Sequence, residues 1–289
     1  MRKKINIDIL QMKNIKTIQL LFFVLFCFVA FRLTAQQSNE QQLNFRKTAE
    51  SLVIKPKILV FSKIGKWRNP AHTLAGYFHA SIPAGKAMLT KLGADHNFEL
   101  TFTDSSTIFT DKGLAPFDAV IFMNPNGYVF NSDERLAFQK YIRSGKGYVG
   151  IHAAANCELD WPWYMKLTGA YETGVNANNA VGTLTLQNSN HASTKNLPAT
   201  FSVKDEWLKY DLDVRTLKNS KIKVLAVVDE ACYKPGATTT HAIAWYHKYD
   251  GGRIWYTGFG HHAVVFSDPN VIEHIRGGIE YALGKKYIK

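Results

Sequence analysis

The sequence is poor in cysteine: three in 289 residues, with no Cys-x-x-Cys pair. A thiolate zinc site or a thioredoxin-like centre needs that spacing, so both are excluded. There is no Gly-x-Ser-x-Gly, which excludes the serine nucleophile elbow. No upstream glycine stands at phosphate-loop spacing from Gly85-Lys86, and no Gly-x-Gly-x-x-Gly follows the first apolar run. A phosphate loop is therefore excluded, and a classical dinucleotide fold has little support. Internal repeats and low-complexity segments are also missing. With 46% hydrophobic and only 20% charged residues, the chain is neither disordered nor fibrous.

Charge at first points elsewhere. Lys and Arg number 35 against 23 acidic residues, a net of +12, which resembles the balance of a nucleic-acid binder. Thr17–Phe31 carries no charge, however, and Leu20–Phe26 is almost wholly apolar. Lys13 and Lys16 precede this run, and Leu33-Thr34-Ala35 follows it. That is the pattern of a secretory signal peptide, and the run is shorter than the roughly 20 residues of a membrane span. Residues 1–35 are expected to be an export signal, with Met12 an equally good start. They hold six cations and one anion, so the remainder has 29 basic and 22 acidic residues, net +7. Those cations are scattered and form no basic helix, so nucleic acid is not an expected partner. The expected location is periplasmic or secreted, with no membrane attachment after cleavage. Cys157 and Cys232 would then meet oxidising conditions, which leaves one disulfide open.

Residues 36–55 are polar and irregular, a linker. Residues 56–285 read as one α/β domain. Lys57–Phe61, Phe117–Met123 and Gly147–His152 are short apolar runs, the signal of strands buried on both faces. Phe98–Phe102 alternates like a half-exposed strand. Ala84–Leu92 is helical, with Ser81 as the candidate cap and Pro83 in the first turn. A second helix opens at Ser132 and stops at Gly145, and Pro269–Leu283 is a third. Alternating strands and helices predict a mostly parallel sheet covered on both faces. After Trp161 the texture changes: Val181–Leu186, Lys223–Val228, His241–His247 and Gly252–Gly258 read as strands. Asp250-Gly251-Gly252 is a hairpin turn between the last two.

In open α/β sheets, ligands bind beyond the carboxyl ends of the strands. His152 ends a buried strand and is followed by Ala153-Ala154-Ala155, so its imidazole suits a general base or a metal ligand. Asp205-Glu206 pairs two carboxylates; adjacent side chains diverge, so one of them is expected in the site. His261-His262 follows Gly260, and one of the two is expected to face inward. One carboxylate and two histidines leave a divalent metal such as zinc an open option, although no His-x-x-x-His spacing supports it. All six tryptophans lie beyond residue 66. Exposed indole faces stack on sugar rings; Trp163, in a loop after His152, suits that use, whereas Trp245 and Trp255 suit core filling.

These residues together carry a resemblance. Phe78–Gly85, Gly150–Ala154, Trp161–Tyr164, Asp205–Trp207, Ala244–Tyr246 and Gly252–His261 resemble, in order and spacing, the ThuA-like (trehalose utilisation) family. The likeness runs from about Lys57 to Leu283. It implies a flavodoxin-like, class I glutamine amidotransferase-like three-layer sandwich. It also implies a role in bacterial carbohydrate catabolism, on a keto-sugar or glycoside. The amidotransferase cysteine is replaced by His152, which argues against amidotransferase activity. The resemblance marks His79, His152, Trp163, Glu206, Trp245 and His261. The chain departs from the family at Asn156, Asn126 and His191-Ala192, and the first two changes remove carboxylates near the proposed site. The expected roles are His152, Glu206 and His261 in acid–base chemistry, and His79, Asn124, Trp163 and Trp245 in sugar binding. A carbohydrate-binding protein that kept the fold without catalysis is the alternative.

Overall fold

The computed structural model describes residues 55–66, 76–217 and 221–284, besides Arg32, Gln36, Gln41 and Gln42, which are helical. The chain divides into two units, 1–54 and 55–289. The expected export signal and most of the linker lie outside the described residues. No helix among the described residues is long and apolar enough to cross a membrane.

One nine-stranded sheet forms the body of the second unit. Its strands are β1 (Lys57–Phe61), β2 (Glu99–Thr103), β3 (Ala119–Met123), β4 (Gly147–Ile151), β5 (Glu172–Leu186), β6 (Thr200–Tyr210), β7 (Lys223–Asp229), β8 (Thr240–Tyr249) and β9 (Gly252–Thr257). Their order is β2-β1-β3-β4-β9-β8-β7-β5-β6. From β2 to β9 all pairings are parallel, and from β9 to β6 all are antiparallel. The helices are α1 (Ile82–His96), the single turn α2 (Asp111–Leu114), α3 (Ser132–Arg143), α4 (Pro162–Thr168) and α5 (Pro269–Leu283).

The continuous apolar runs follow from burial on both faces. Within β1, Ile58 and Val60 face one core with Met88 and Leu89 of α1 and Ile275 and Ile279 of α5. Leu59 and Phe61 face the other, with Phe138 and Ile142 of α3 and Leu167 of α4. The two-residue period of a strand thus divides one run between two cores and produces three layers. β2, at the sheet edge, is half-exposed to exposed throughout, and the expected alternation breaks at Phe102, which is exposed beside Thr101. α3 opens at Ser132 as expected and is capped by Asn131: its side chain accepts from the Glu134 amide while Glu134 accepts from the Asn131 amide. Gly145, at φ +88°, ends that helix's trailing turn. Ser81 occupies the α1 cap position but makes no capping bond. Cys157 and Cys232 are both free, which closes the disulfide option.

The β5–β6 hairpin positions the site. β5 pairs with β7 only through Leu184–Leu186, yet with β6 from Glu172 to Thr185. Its first part therefore leaves the main sheet and turns over the carboxyl ends of β4 and β9.

Three histidines remote from that end sit neutral in the core. His191 lies against Ser193 Oγ at 2.8 Å, His274 against Ser193 O at 2.9 Å, and His247 against Leu167 O at 2.9 Å. Burial lowers each pKa to about 4. The unfolded chain takes up these protons near pH 6.5, so their stabilisation is complete above that pH and is lost as pH falls toward 4. Each group contributes up to roughly 3 kcal/mol of that loss. Urea midpoints should therefore fall between pH 7.5 and pH 5; an equal or higher midpoint at pH 5 contradicts the assignment.

Candidate functional site

His152 is the first residue after β4 and holds φ at +47°, the left-handed region that non-glycine residues rarely occupy. The bend turns its ring under the Gly258 loop, where Nδ1 donates to Gly258 O at 2.7 Å. That bond fixes the proton on Nδ1 and leaves Nε2 free. The His152 carbonyl accepts from the Tyr256 hydroxyl at 2.9 Å. Ala153, Ala154 and Ala155 follow His152 and are buried.

His79 stands just before α1, and His261 follows β9. The ring centroids of His79, His152 and His261 lie 5.0–5.4 Å apart, all edge to face. One ligand atom from each is within 4.8 Å of the other two, so the trio could hold a metal ion.

Asn124, at the end of β3, binds these three segments together. Its Nδ2 donates to Ser81 Oγ at 3.1 Å and to Gly260 O at 2.9 Å. Its Oδ1 accepts from the Ala153 amide at 3.3 Å. Ser81 Oγ also donates to Gly260 O, at 2.6 Å. Ser81, Ala153 and Gly260 flank His79, His152 and His261 respectively. Gly260 itself, at φ +136°, passes so near His152 that a Cβ there would lie 3.1 Å from the histidine's own.

The carboxylates come from the overhanging hairpin. Strand alternation breaks at Asp205-Glu206, where the β5–β6 register shifts between Ala177 and Ala180. Both side chains are consequently buried in the site, where the sequence predicts one. Asp205 accepts from the Gly260 and His262 amides at 2.8 and 3.1 Å, clamping the loop that carries His261. Glu206 Oε1 lies 3.1 Å from His261 Nδ1 and 3.5 Å from His152 Nε2.

Electrostatics divide the carboxyls. Burial favours neutral Glu206, but His152 and His261 overcome it and hold the pKa at about 2. Glu172, at the start of β5, is pushed up to about 7 by burial, with the negative charge of Glu206 adding to the rise. His152 and a hydrogen bond from Asn156 only partly offset that shift. Burial works against a charged His152, yet Glu206 and Asp205 outweigh it and raise its pKa. His79 falls to about 3, from burial first and then from its two histidine neighbours.

His79, His152, Glu206 and His261 thus converge as the sequence suggests, and His262 turns away to Asn178 at 2.9 Å. Of the expected sugar-binding residues, three are committed elsewhere and do not face this site. Asn124 is fully buried and its amide is committed to the scaffold. Trp245 is fully buried, its Nε1 donating to Thr168 O at 2.7 Å. Trp163 donates to Asp250 in the turn before β9, at the sheet end opposite His152. A hollow of about 550 Å³ beside that turn contains none of the converging histidines. Sequence reasoning missed Glu172, which lies in a polar stretch without strand alternation. It also missed the aromatic faces at the rim. Tyr77 is 58% exposed and stacks along His261 at 5.9 Å, and Phe78 is 60% exposed. The Phe78-His79 pairing was the available signal.

The sequence profile of the ThuA family, described as trehalose utilisation, matches residues 70–282. Among solved structures, a putative ThuA-like protein from Bacteroides uniformis is 23% identical, with TM-score 0.62, over 80% of this chain and 93% of that one. A second, from Parabacteroides merdae, is 19% identical, with TM-score 0.58, over 79% and 90%. A cytoplasmic protein from Salmonella typhimurium shares the fold at 10% identity and TM-score 0.50. Among curated proteins none matches the sequence.

Asn124→Ala should cost on the order of 3 kcal/mol in urea unfolding, because it strands buried partners on three segments. A loss below about 1 kcal/mol, the range of a surface change, would contradict its pinning role.

Proposed function

The chain belongs to the ThuA (trehalose utilisation) family, and from that premise we propose that it acts, after export, on a keto-sugar or glycoside in bacterial carbohydrate catabolism. The observation that carries this reading is the buried His152–Glu206–His261 centre at the carboxyl ends of β4 and β9, beside Glu172. Glu206, held ionised, stabilises positive charge on His152. A positive centre in a water-poor site polarises a carbonyl oxygen and stabilises the enolate that forms when the neighbouring C–H loses its proton. Glu172 titrates close to neutrality, so its carboxyl can take that proton and return it. Isomerisation and elimination follow from this pair directly, and hydrolysis follows with water as the second reactant. Tyr77 and Phe78 supply the exposed aromatic faces for a sugar ring. Because His152 fills the strand end, there is no cysteine there for amidotransferase chemistry.

The test is a keto-sugar and glycoside screen with the purified protein. On the substrate found, His152→Ala and Glu206→Gln should each lower kcat by about 100-fold or more, the range of acid–base catalysis. Full turnover by folded His152→Ala sinks the assignment. Saturable sugar binding without product from any candidate, unaffected by Glu206→Gln, identifies a carbohydrate-binding protein instead.

A further inference from the structure

We propose that His79, His152, His261 and Glu206 form a zinc site. It deepens the reading above, because the ion would supply the positive charge assigned there to the His152 imidazolium, but its test needs no sugar.

Unpartnered ring nitrogens make the first argument. His79 Nδ1, His152 Nε2 and His261 Nδ1 are all buried, and none has a hydrogen-bond partner among the described residues. Buried polar atoms are normally paired, and an orphan calls for an explanation such as a bound ion or water. Here three orphans of one chemical type face one another, each from a different segment of the chain.

Geometry makes the second. Glu206 Oε1 is 3.1 Å from His261 Nδ1 and 3.5 Å from His152 Nε2, yet neither approach has hydrogen-bond alignment. Zinc bonds to nitrogen and carboxylate oxygen are about 2.0–2.1 Å, so neighbouring ligands around a tetrahedral ion stand about 3.3 Å apart. The two separations straddle that edge length. They are the spacings of atoms that share a cation.

The surroundings make the third. A zinc-binding histidine commonly donates its other nitrogen to a carbonyl, which fixes the tautomer. His152 does this through Nδ1 to Gly258 O at 2.7 Å. Asp205 and Asn124 fix the loop positions that carry the remaining ligands. Three imidazoles and one carboxylate suit zinc, whereas magnesium and calcium prefer oxygen donors throughout.

The experiment uses the untagged full chain, stripped with a chelator and titrated with Zn²⁺ by calorimetry, with elemental analysis after desalting. One zinc per chain and a higher Tm on loading are expected. His79→Ala and His261→Ala should weaken binding by about tenfold or more, while His262→Ala, one residue outside the set, should bind as the parent does. The stripped, folded parent taking up no zinc would overturn the proposal. So would an equal loss in His262→Ala and His261→Ala. If the ligand variants do not fold, Co²⁺ added to the stripped parent decides: intense visible bands of a four-coordinate ion support the site, and their absence rejects it. Failure here leaves the acid–base reading standing on protonated His152. Zinc binding without turnover of any sugar would reject that reading alone.

Discussion

The buried amide of Asn124 is the interaction on which the candidate site depends. His79, His152 and His261 are separated by more than seventy residues at each step of the chain. Nothing local holds their rings within reach of one another. One side chain, through three hydrogen bonds, ties the residues flanking them. Asn124 is fully buried and sits at φ +53°, a conformation asparagine tolerates better than most residues. A longer or branched side chain there would lose either the bend or the bonds. Ser81 follows from the same constraint: its hydroxyl serves Gly260, and α1 goes without a capping bond.

The parallel half of the fold was legible because its physics is local. Apolar runs such as Ala119–Met123 announce strands buried on both faces, and Gly145 and Pro269 punctuate helices. His152 was legible for the same reason, as a polar residue closing an apolar run before three alanines. Glu206 was visible as a residue but not as geometry. Strand alternation allows one inward carboxylate from Asp205-Glu206, and only the register shift opposite Ala177–Ala180 admits both. That shift depends on pairing with a strand twenty-odd residues away. Trp163 misleads because chain proximity to His152 does not fix direction: α4 carries its ring toward the opposite end of the strands and Asp250. Trp245 fitted core filling on its own strand pattern, and only the family likeness drew it into the site.

The two halves of the sheet contribute different chemistry. The parallel half supplies nitrogen from loops at strand ends, where rigid strands fix position. The β5–β6 overhang supplies oxygen from Asp205, Glu206 and Glu172. Burial pushes all three carboxyls toward a higher pKa, so burial alone does not separate them. Contact does. Glu206 lies against two imidazoles and remains charged. Glu172 feels His152 as well, but also the negative charge of Glu206, and its titration moves to neutrality.

This division bears on the carboxylates absent from the sequence at positions 126 and 156. Asn126 accepts the Tyr77 amide at 2.8 Å through Oδ1, so it shapes the rim beside His79. The Asn156 amide hydrogen-bonds to Glu172 and favours its ionised form, opposing part of the burial penalty. An aspartate at 156 would place a second negative charge beside Glu172 and raise its pKa further. Asparagine therefore tunes a carboxyl that the overhang brings in. An acid on β5 thus stands beside the strand-end loop, its titration tuned by Asn156, a residue that in the sequence alone reads as a loss.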